Sequence, residues 1–324
     1  MRLVTSDDII DVLAKGKQRG LRFLISKLTL NKLNRTKSAF DKSSISHSNW
    51  WIIPEIKERW NKLITGNPKV TYETFMMNGY LKNKKNLRLL SIGSGSCSHE
   101  LNLATYSNFD KIVCLDIADN RLKEAQKIAQ KKNLKNISFI CANALEYSFE
   151  SNFDIVFFHS SLHHFNHISN LIPHKIIPLL KSDGHLIINE YVGPTRIQHP
   201  KHQVQAINRG LKLIPTKFRK RFKTGWIKRR YHGSGLIRMI LADPSECIDS
   251  ASILPSIHTH FNTIAEWPYG GNILMHVLKD ISHHFLDMDS ERKYILNSLF
   301  DFEDEYLQNQ PSDFVFGIYQ LKKS

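Results

Sequence analysis

Length and composition place the chain among ordinary folded proteins. It has 324 residues, of which 41% are hydrophobic, 10% aromatic and 23% charged, and this balance excludes a disordered or fibrous chain. Its apolar runs are much shorter than the roughly 18 to 20 residues of a membrane-spanning helix. Acidic residues at positions 7, 8 and 11 disfavour a secretion signal, and four cysteines without a CxxC pair predict free thiols. We therefore expect a cytoplasmic protein, with either one α/β domain carrying added segments or two domains.

The formal net charge of +15 is concentrated in one segment. Thirteen Lys and Arg residues and no acidic residue lie between Glu190 and Asp243, and the remainder of the chain is nearly neutral. A local field of this sign favours an anionic partner, which could be a phosphate, an acidic glycan, a lipid headgroup or a nucleic acid. The alternative is a solvated surface without a partner.

Short apolar runs alternate with helical stretches between Leu87 and Tyr191, which is the pattern of βαβ units and a parallel sheet. The predicted strands are Leu87–Ile92, Lys111–Asp116, Ile137–Cys141, Phe153–His159 and Gly184–Glu190, followed later by Ile257–Trp267 and Phe314–Leu321. The first predicted helix follows the glycine turn after Leu87–Ile92 and runs to about Tyr106. Further helices are predicted over Asn120–Lys132, over Ile168–Leu180 with breaks at Pro173 and Pro178, and over Gly271–Phe285. The continuous apolar strands indicate a sheet that is buried on both faces.

The predicted organisation has three segments. Residues 1–84 form an N-terminal helical layer, residues 85–192 and 256–324 form the core with the sheet, and residues 193–255 form a basic, mainly helical insertion after the fifth strand. The run from Asp243 to Glu246 predicts a helix start, with Asp as the cap and Pro at the first helical position. Trp50, Trp51 and Trp60 share an apolar helical face that is more typical of a core, and a role as a lid is the alternative.

A glycine turn follows the first strand and precedes a helix. Gly93 and Gly95 let the backbone approach a nucleotide-like ligand closely, and the helix N-terminus adds N–H donors. The turn lacks the third glycine of a GxGxxG motif, so NAD binding is not favoured. Asp116 ends the second strand 21 residues after Gly95, where a carboxylate can bind the ribose of an adenosine, and a helix cap is its alternative role. Asn143 follows the third strand at the ligand-binding edge of such a sheet, where a turn asparagine is an equally good interpretation.

The order of these motifs resembles that of class I S-adenosylmethionine-dependent methyltransferases. The resemblance is carried by Leu89–Gly95, Cys114–Ile117, Asn143-Ala144, Phe153–Phe158, Ser161–Phe165 and Lys181–Glu190. Over nearly the whole chain the sequence is also similar to a bacterial subgroup of that family, through Trp50–Glu55, Asn189–Arg196 and Asp243–Glu246. The order of the motifs is more specific than any one of them.

The resemblance implies a Rossmann-like fold, with a seven-stranded, mostly parallel sheet, helices on both faces and a final antiparallel hairpin. It also implies S-adenosylmethionine as the cofactor. Gly93 and Gly95 would then pass beneath its methionine part, Asp116 would hold the ribose, and Asn143 with Ala144 would face the adenine.

Three more residues, Ser91, Ile117 and His159, are grouped with the cofactor-binding residues. Two positions depart from the family pattern, because the family often has an acidic residue where Ser91 stands and an aspartate where Asn143 stands. The third small residue of the turn is Cys97.

Methyl transfer from a sulfonium needs in-line positioning, and deprotonation of the acceptor when that acceptor is a hydroxyl. His163 and Glu190 are the candidate catalytic residues, because each lies at or just past the carboxyl end of a strand. His164 is the expected packing partner, and packing or helix capping by both histidines is the alternative. We expect no metal site at His159, His163, His164 and His167, since no cysteine or carboxylate cluster completes a coordination shell.

The leading functional hypothesis is O-methylation of a small-molecule, glycan or lipid-linked acceptor, with the basic insertion as a lid that recognises an anionic group. RNA methylation is a second hypothesis, although the Asn-Pro-Pro-Tyr or Cys signatures of base methylation are missing. A non-catalytic platform protein that binds the cofactor is the third.

Overall fold

The computed structural model describes residues 1–19, 49–149 and 152–323, so residues 20–48 of the predicted N-terminal layer lie outside the described residues. The helices are α1 (Ser6–Arg19), α2 (Pro54–Thr65), α3 (Tyr72–Asn78), α4 (Ser98–Leu103), α5 (Asp119–Lys131), α6 (Ile168–Leu171), α7 (Lys201–Lys212), α8 (Leu236–Ala242), α9 (Ile253–His260), α10 (Leu274–Leu278) and α11 (Ser290–Leu307). The strands are β1 (Leu87–Ile92), β2 (Phe109–Asp116), β3 (Ile137–Cys141), β4 (Phe153–His159), β5 (Leu180–Tyr191), β6 (Phe261–Gly270) and β7 (Phe314–Leu321).

The chain divides into two compact units. The first comprises residues 1–69, 193–246 and 268–314, and the second comprises residues 70–192, 247–267 and 315–324. Nearly all of the sheet belongs to the second unit, whereas the first contains α1, α2, α7, α8, α10 and α11. Within the described ranges, no helix combines the length and the apolar character that crossing a bilayer requires.

The seven strands form one sheet in the order β3-β2-β1-β4-β5-β7-β6. The neighbours from β3 to β5 are parallel, and Leu90 of β1 lies between Val113 of β2 and Val156 of β4. These side chains and Ile188 of β5 are buried in the core of the second unit. The predicted seven-stranded, mostly parallel sheet is confirmed, and its continuous apolar strands are buried because helices pack around the sheet.

The first unit has its own apolar core. Trp50 is 2% exposed and packs edge to face against Trp60, with ring centroids 4.8 Å apart. Ile56 from α2 and Leu274 from α10 are buried in the same cluster. Trp50 is thus a core residue of this unit, whereas Trp51 is exposed.

Some predicted elements differ from the structure. The predicted helix after Asp243 is wrong, because residues 244–249 form turns and bends, and Oδ1 of Asp243 accepts the N–H and O–H of Ser245 at 2.9 and 2.7 Å. Strand β6 begins at Phe261 rather than at Ile257, because Ile257 belongs to α9. Pro173 does not break its helix but lies in a π-helical turn that continues α6. This turn accommodates a proline, which has no backbone N–H to donate.

Candidate functional site

The candidate site lies where the strand order reverses. Strands follow one another outward from β1 to β3 on one side and from β4 to β5 on the other, so the topological switch point lies between β1 and β4. Open α/β sheets bind ligands outside the carboxyl ends of the strands at this point. Gly93 follows β1, Asp116 ends β2 and Ser161 lies just past β4. These residues come from distant parts of the sequence and meet at one edge of the sheet.

The two glycines of the turn have different surroundings. Gly93 and Gly95 have φ angles of 72° and 55°, a region that glycine adopts at little cost. A Cβ on Gly93 would lie 2.6 Å from Cβ of Ser161, so packing alone requires glycine there. A Cβ on Gly95 would have Arg121 as its nearest neighbour, at 3.6 Å. Gly95 therefore borders open space that a ligand can fill.

Asp116 ties the glycine turn to the following helix. Its Oδ2 accepts the N–H of Gly95 at 2.7 Å, and its Oδ1 accepts the N–H of Ala118, just before α5, also at 2.7 Å. Each carboxylate oxygen has further lone-pair capacity. The side chain therefore organises the turn and can still accept a hydrogen bond from a ribose hydroxyl.

Ser91 has an internal partner. Its hydroxyl is buried and donates to Oε1 of Glu100, in α4, at 2.6 Å. Oε2 of Glu100 has no hydrogen-bond partner among the described residues, and burial raises the pKa of this carboxyl. A carboxyl group thus lies beside Ser91 although the strand itself does not supply one.

Asn143 closes a turn after β3. Its Oδ1 accepts the N–H of Leu145 at 3.1 Å, and its Nδ2 donates to Oε1 of Glu146 at 2.7 Å. The first of these contacts is that of an Asx turn. Ala144 packs against the core of the second unit, and Ile117 is partly buried just after β2. Asn143 is therefore a turn asparagine in the structure. It lies at the same edge of the sheet as Asp116.

His159 belongs to a polar and aromatic cluster that the sequence did not reveal. Its Nδ1 lies 2.9 Å from the hydroxyl of Tyr72, and its ring centroid lies 3.7 Å from that of His99. His99 in turn places Nδ1 2.5 Å from Oε1 of Glu73. Burial and the neighbouring His99 hold the pKa of His159 well below its ordinary value, so this imidazole is neutral near pH 7. Burial would raise the pKa of Glu73, but the hydrogen bond and charge of His99 lower it overall.

His163 and Glu190 form a buried pair. Nδ1 of His163 lies 2.7 Å from Oε2 of Glu190, whose side chain is fully buried. The other oxygen, Oε1, accepts the N–H groups of Ser161 and Leu162 at 2.5 and 2.6 Å. Glu190 thus fixes the turn after β4 and orients His163 at the same time. An imidazole whose Nδ1 is held by a carboxylate has the geometry of a base oriented by a third group.

The basic segment lies in the first unit, and several of its charges are not on the surface. Lys228 is buried and donates to the carbonyls of His276 and Lys279, at 2.5 and 2.7 Å, and burial lowers its pKa to about 7. Arg221 is also buried and pairs with Asp280. Arg229, Arg230, Lys201, Arg209, Lys212, Lys220 and Lys223 are exposed. A count of charges from the sequence therefore overstates the positive surface.

Residues 83–229 match the family model of a methyltransferase domain. No curated protein matches the chain. Among solved structures, the geranyl diphosphate C-methyltransferase of Streptomyces coelicolor, determined with S-adenosyl-L-homocysteine, aligns over 91% of this chain and 99% of its own, at 9% identity and a TM-score of 0.51. This likeness shows a shared fold.

Two other solved structures align with lower TM-scores. The YcgJ protein of Bacillus subtilis aligns over 78% of this chain and 99% of its own, at 17% identity and a TM-score of 0.43. A SAM-dependent methyltransferase of Aquifex aeolicus aligns over 47% of this chain and 78% of its own, at 14% identity and a TM-score of 0.34. The matched family supports S-adenosylmethionine as the cofactor.

Proposed function

We propose that the protein is an S-adenosylmethionine-dependent methyltransferase that methylates a hydroxyl of an anionic small-molecule, glycan or lipid-linked acceptor. The observation that carries the proposal is the match of residues 83–229 to a methyltransferase domain, whose glycine turn and acidic strand end meet at the switch point of the sheet.

The residues at the switch point fit this cofactor. The space beside Gly95 receives the methionine part, because the nearest atom to a Cβ there, apart from those of Gly95 and its chain neighbours, is Nη1 of Arg121 at 3.6 Å. Asp116 accepts the ribose hydroxyls, and Asn143 with Ala144 lies at the adenine. Bound there, the cofactor supplies an activated methyl group on a sulfonium.

The buried pair supports a hydroxyl acceptor. A hydroxyl must lose its proton as it attacks the methyl group, and a histidine within hydrogen-bond reach can take that proton. Glu190 holds Nδ1 of His163 at 2.7 Å, which favours the tautomer with the proton on Nδ1 and an unprotonated Nε2. The carboxylate then stabilises the imidazolium that forms.

The charge of the basic segment supports an anionic acceptor. Its exposed cations, among them Arg229 and Arg230, raise the local concentration of anions. An RNA acceptor is the competing hypothesis because the same cations would bind phosphates. The two differ in salt dependence, since several simultaneous phosphate contacts give a much steeper slope than a single anionic group.

Radiolabelled S-adenosylmethionine tests the proposal directly. The full-length protein is incubated with cell extract separated into glycans, lipids, metabolites and RNA, and mass spectrometry locates the transferred methyl group. We expect an O-methyl product in one of the first three fractions. Label found only on RNA would favour the competing hypothesis, and cofactor binding without label in any fraction would favour a platform protein.

A further inference from the structure

A cavity in the first unit is bordered by cations. Its volume of about 400 Å³ lies within the range of small-molecule pockets, about 300 to 1,000 Å³. The described lining contains no acidic residue and four positive charges, which belong to Arg209, Lys212, Arg229 and Arg230. Glu305 lines a neighbouring cavity that shares Arg209 but none of the other three cations. The larger cavity therefore has a lining of a single sign of charge.

Helix α7 forms one wall of this cavity. The wall residues have the i, i+3, i+4, i+7 spacing of one helical face and are Gln205, Asn208, Arg209 and Lys212. On another face of α7, Ile207 and Leu211 are buried in the core of the unit. The guanidinium of Arg209 lies over the ring of Phe302, 5.5 Å from its centroid. Core packing thus anchors α7 with its two cations on the accessible side.

Arg229 and Arg230 form the second wall, and a buried residue on each side of them fixes their position. Lys228 is buried and donates to three backbone carbonyls. Tyr231 is also buried, and its backbone pairs with the side chain of Asn208. The N–H of Tyr231 donates to Oδ1 of Asn208 and its carbonyl accepts from Nδ2, both at 2.8 Å. Because Asn208 belongs to α7, these two bonds hold the arginines beside the first wall.

The four cations of the cavity have no carboxylate partner among the residues that the structure describes. Other cations of the basic segment are neutralised within the chain, in the pairs Lys217–Glu291, Arg221–Asp280 and Arg238–Asp8. Like charges gathered around one cavity repel one another, and a bound anion relieves this repulsion. The charge that remains available in the segment is thus concentrated at the cavity.

We propose that this cavity binds the phosphate or diphosphate group of a small molecule. Three of the four cations are arginines, whose planar guanidinium groups donate paired hydrogen bonds to phosphate oxygens. A phosphate carries about two negative charges and three acceptor oxygens, so it can contact cations of both walls. A carboxylate has one charge and two oxygens and suits the cavity less well. Two sources share this chemistry, namely the methyl acceptor itself and a separate phosphorylated ligand.

Calorimetric titration of the full-length protein with inorganic pyrophosphate tests the site. We expect a Kd below about 1 mM at physiological salt and no measurable binding of acetate, which carries a single charge. The double variants Arg209→Gln with Lys212→Gln, and Arg229→Gln with Arg230→Gln, should each bind at least about tenfold more weakly, because each loses two charge-assisted contacts. Arg229→Lys with Arg230→Lys keeps the charge without the paired hydrogen bonds and should recover only part of that loss.

The matched control is Lys201→Gln with Lys220→Gln. Both lysines are exposed cations of the first unit outside the cavity lining, so this variant has the same change in net charge and should bind within about twofold of the parent protein. Circular dichroism reports folding in every variant. Absence of pyrophosphate binding at several millimolar would overturn the proposal, as would an equal loss in the control and the cavity variants. Binding of a single-stranded oligonucleotide without binding of pyrophosphate would also overturn it, in favour of an extended nucleic-acid surface.

Kinetics of labelled methyl transfer distinguish the two sources of the phosphate. If pyrophosphate raises KM for the acceptor without changing kcat, the phosphate belongs to the acceptor. An unchanged KM while pyrophosphate is bound assigns the cavity to a separate ligand. Only this assignment rests on the proposed function. The calorimetric experiment needs neither acceptor nor cofactor, so failure of the site and failure of the methyltransferase proposal are distinguishable.

Discussion

Replacement of Glu190 by glutamine tests the buried pair most directly. Glutamine has the same size, and its single carbonyl oxygen can still accept the N–H groups of Ser161 and Leu162, which lie 2.5 and 2.6 Å from Oε1. Its amide NH₂ group then faces Nδ1 of His163 and donates a hydrogen bond to it. Nδ1 must therefore be unprotonated. The proton of the imidazole moves to Nε2, so the base is lost while the turn is kept.

The size of the effect follows from the 2.7 Å contact between Nδ1 of His163 and Oε2 of Glu190. When His163 takes a proton, the imidazolium and the carboxylate attract each other by about 4 kcal/mol, for charges ~4 Å apart at an effective dielectric constant of ~20. Each factor of ten in rate corresponds to about 1.36 kcal/mol. We therefore expect kcat to fall roughly a thousandfold, within the usual range for loss of a general base.

The assay measures kcat and KM for transfer of a labelled methyl group to the acceptor found in the extract screen. Nuclear magnetic resonance of ¹⁵N-labelled histidine reports the tautomer of His163, which should change from Nδ1–H to Nε2–H. Glu303→Gln is a matched control, because this buried carboxyl also accepts two backbone N–H groups, from Ile273 and Leu274, at 2.9 and 3.1 Å. An unchanged kcat in Glu190→Gln, or an equal fall in both variants, would refute a base at His163.

Three further predictions concern the turn, the pH dependence of stability and the basic segment. Gly95→Val should abolish S-adenosylmethionine binding in calorimetry while circular dichroism stays native, whereas Gly225→Val, at a φ of 71° with no atom within 4 Å, should bear similar strain and bind normally. Burial raises the pKa of Asp313 from 3.8 to about 7, so the folded state holds a proton that the unfolded state releases, and stability falls as pH rises from about 4 to 7. Asp313→Asn should remove this fall, which amounts to about 3 kcal/mol between pH 5 and 8, when urea unfolding at those two pH values is compared. Arg229→Gln with Arg230→Gln should raise KM for the acceptor and reduce its salt dependence without changing cofactor affinity, and equal kinetics at low and high salt would contradict an anionic acceptor.

Four of the seven strands could be predicted residue by residue, whereas β2 and β5 begin earlier and β6 begins later than predicted. Strands β1, β3, β4 and β7 have the predicted bounds because each is a short apolar run between turn residues. The predicted helix start at Asp243 failed because the same local sequence pattern is compatible with two structures. Asp243 accepts the hydrogen bonds of a helix cap from Ser245, but these bonds also close an isolated turn.

Contacts between distant residues could not be predicted. Tyr72 meets His159 across 87 residues of sequence, and Glu73 meets His99 across 26. Neither pair shares a helical or strand period, so only the fold brings them together. The exposure of charged side chains could not be predicted from the sequence either. Lys228 adds a positive charge to the count, but it is buried among backbone carbonyls.

The carboxyl group beside Ser91 comes from another element of the chain. Where the resembling family often has an acidic residue, this chain has a hydroxyl, and Glu100 of α4 brings a carboxyl group to within 2.6 Å of that hydroxyl. Its second oxygen, Oε2, has no partner among the described residues, and burial raises the pKa of the group. A buried carboxyl without a full set of partners is costly, so a single nearby hydroxyl does not account for its presence by stability alone. The need for a carboxyl group at the end of β1 would account for it, and Glu100→Gln should then weaken S-adenosylmethionine binding in calorimetry more than it lowers the free energy of unfolding. Unchanged cofactor affinity in that variant would show that the group serves only the packing of α4 on the sheet.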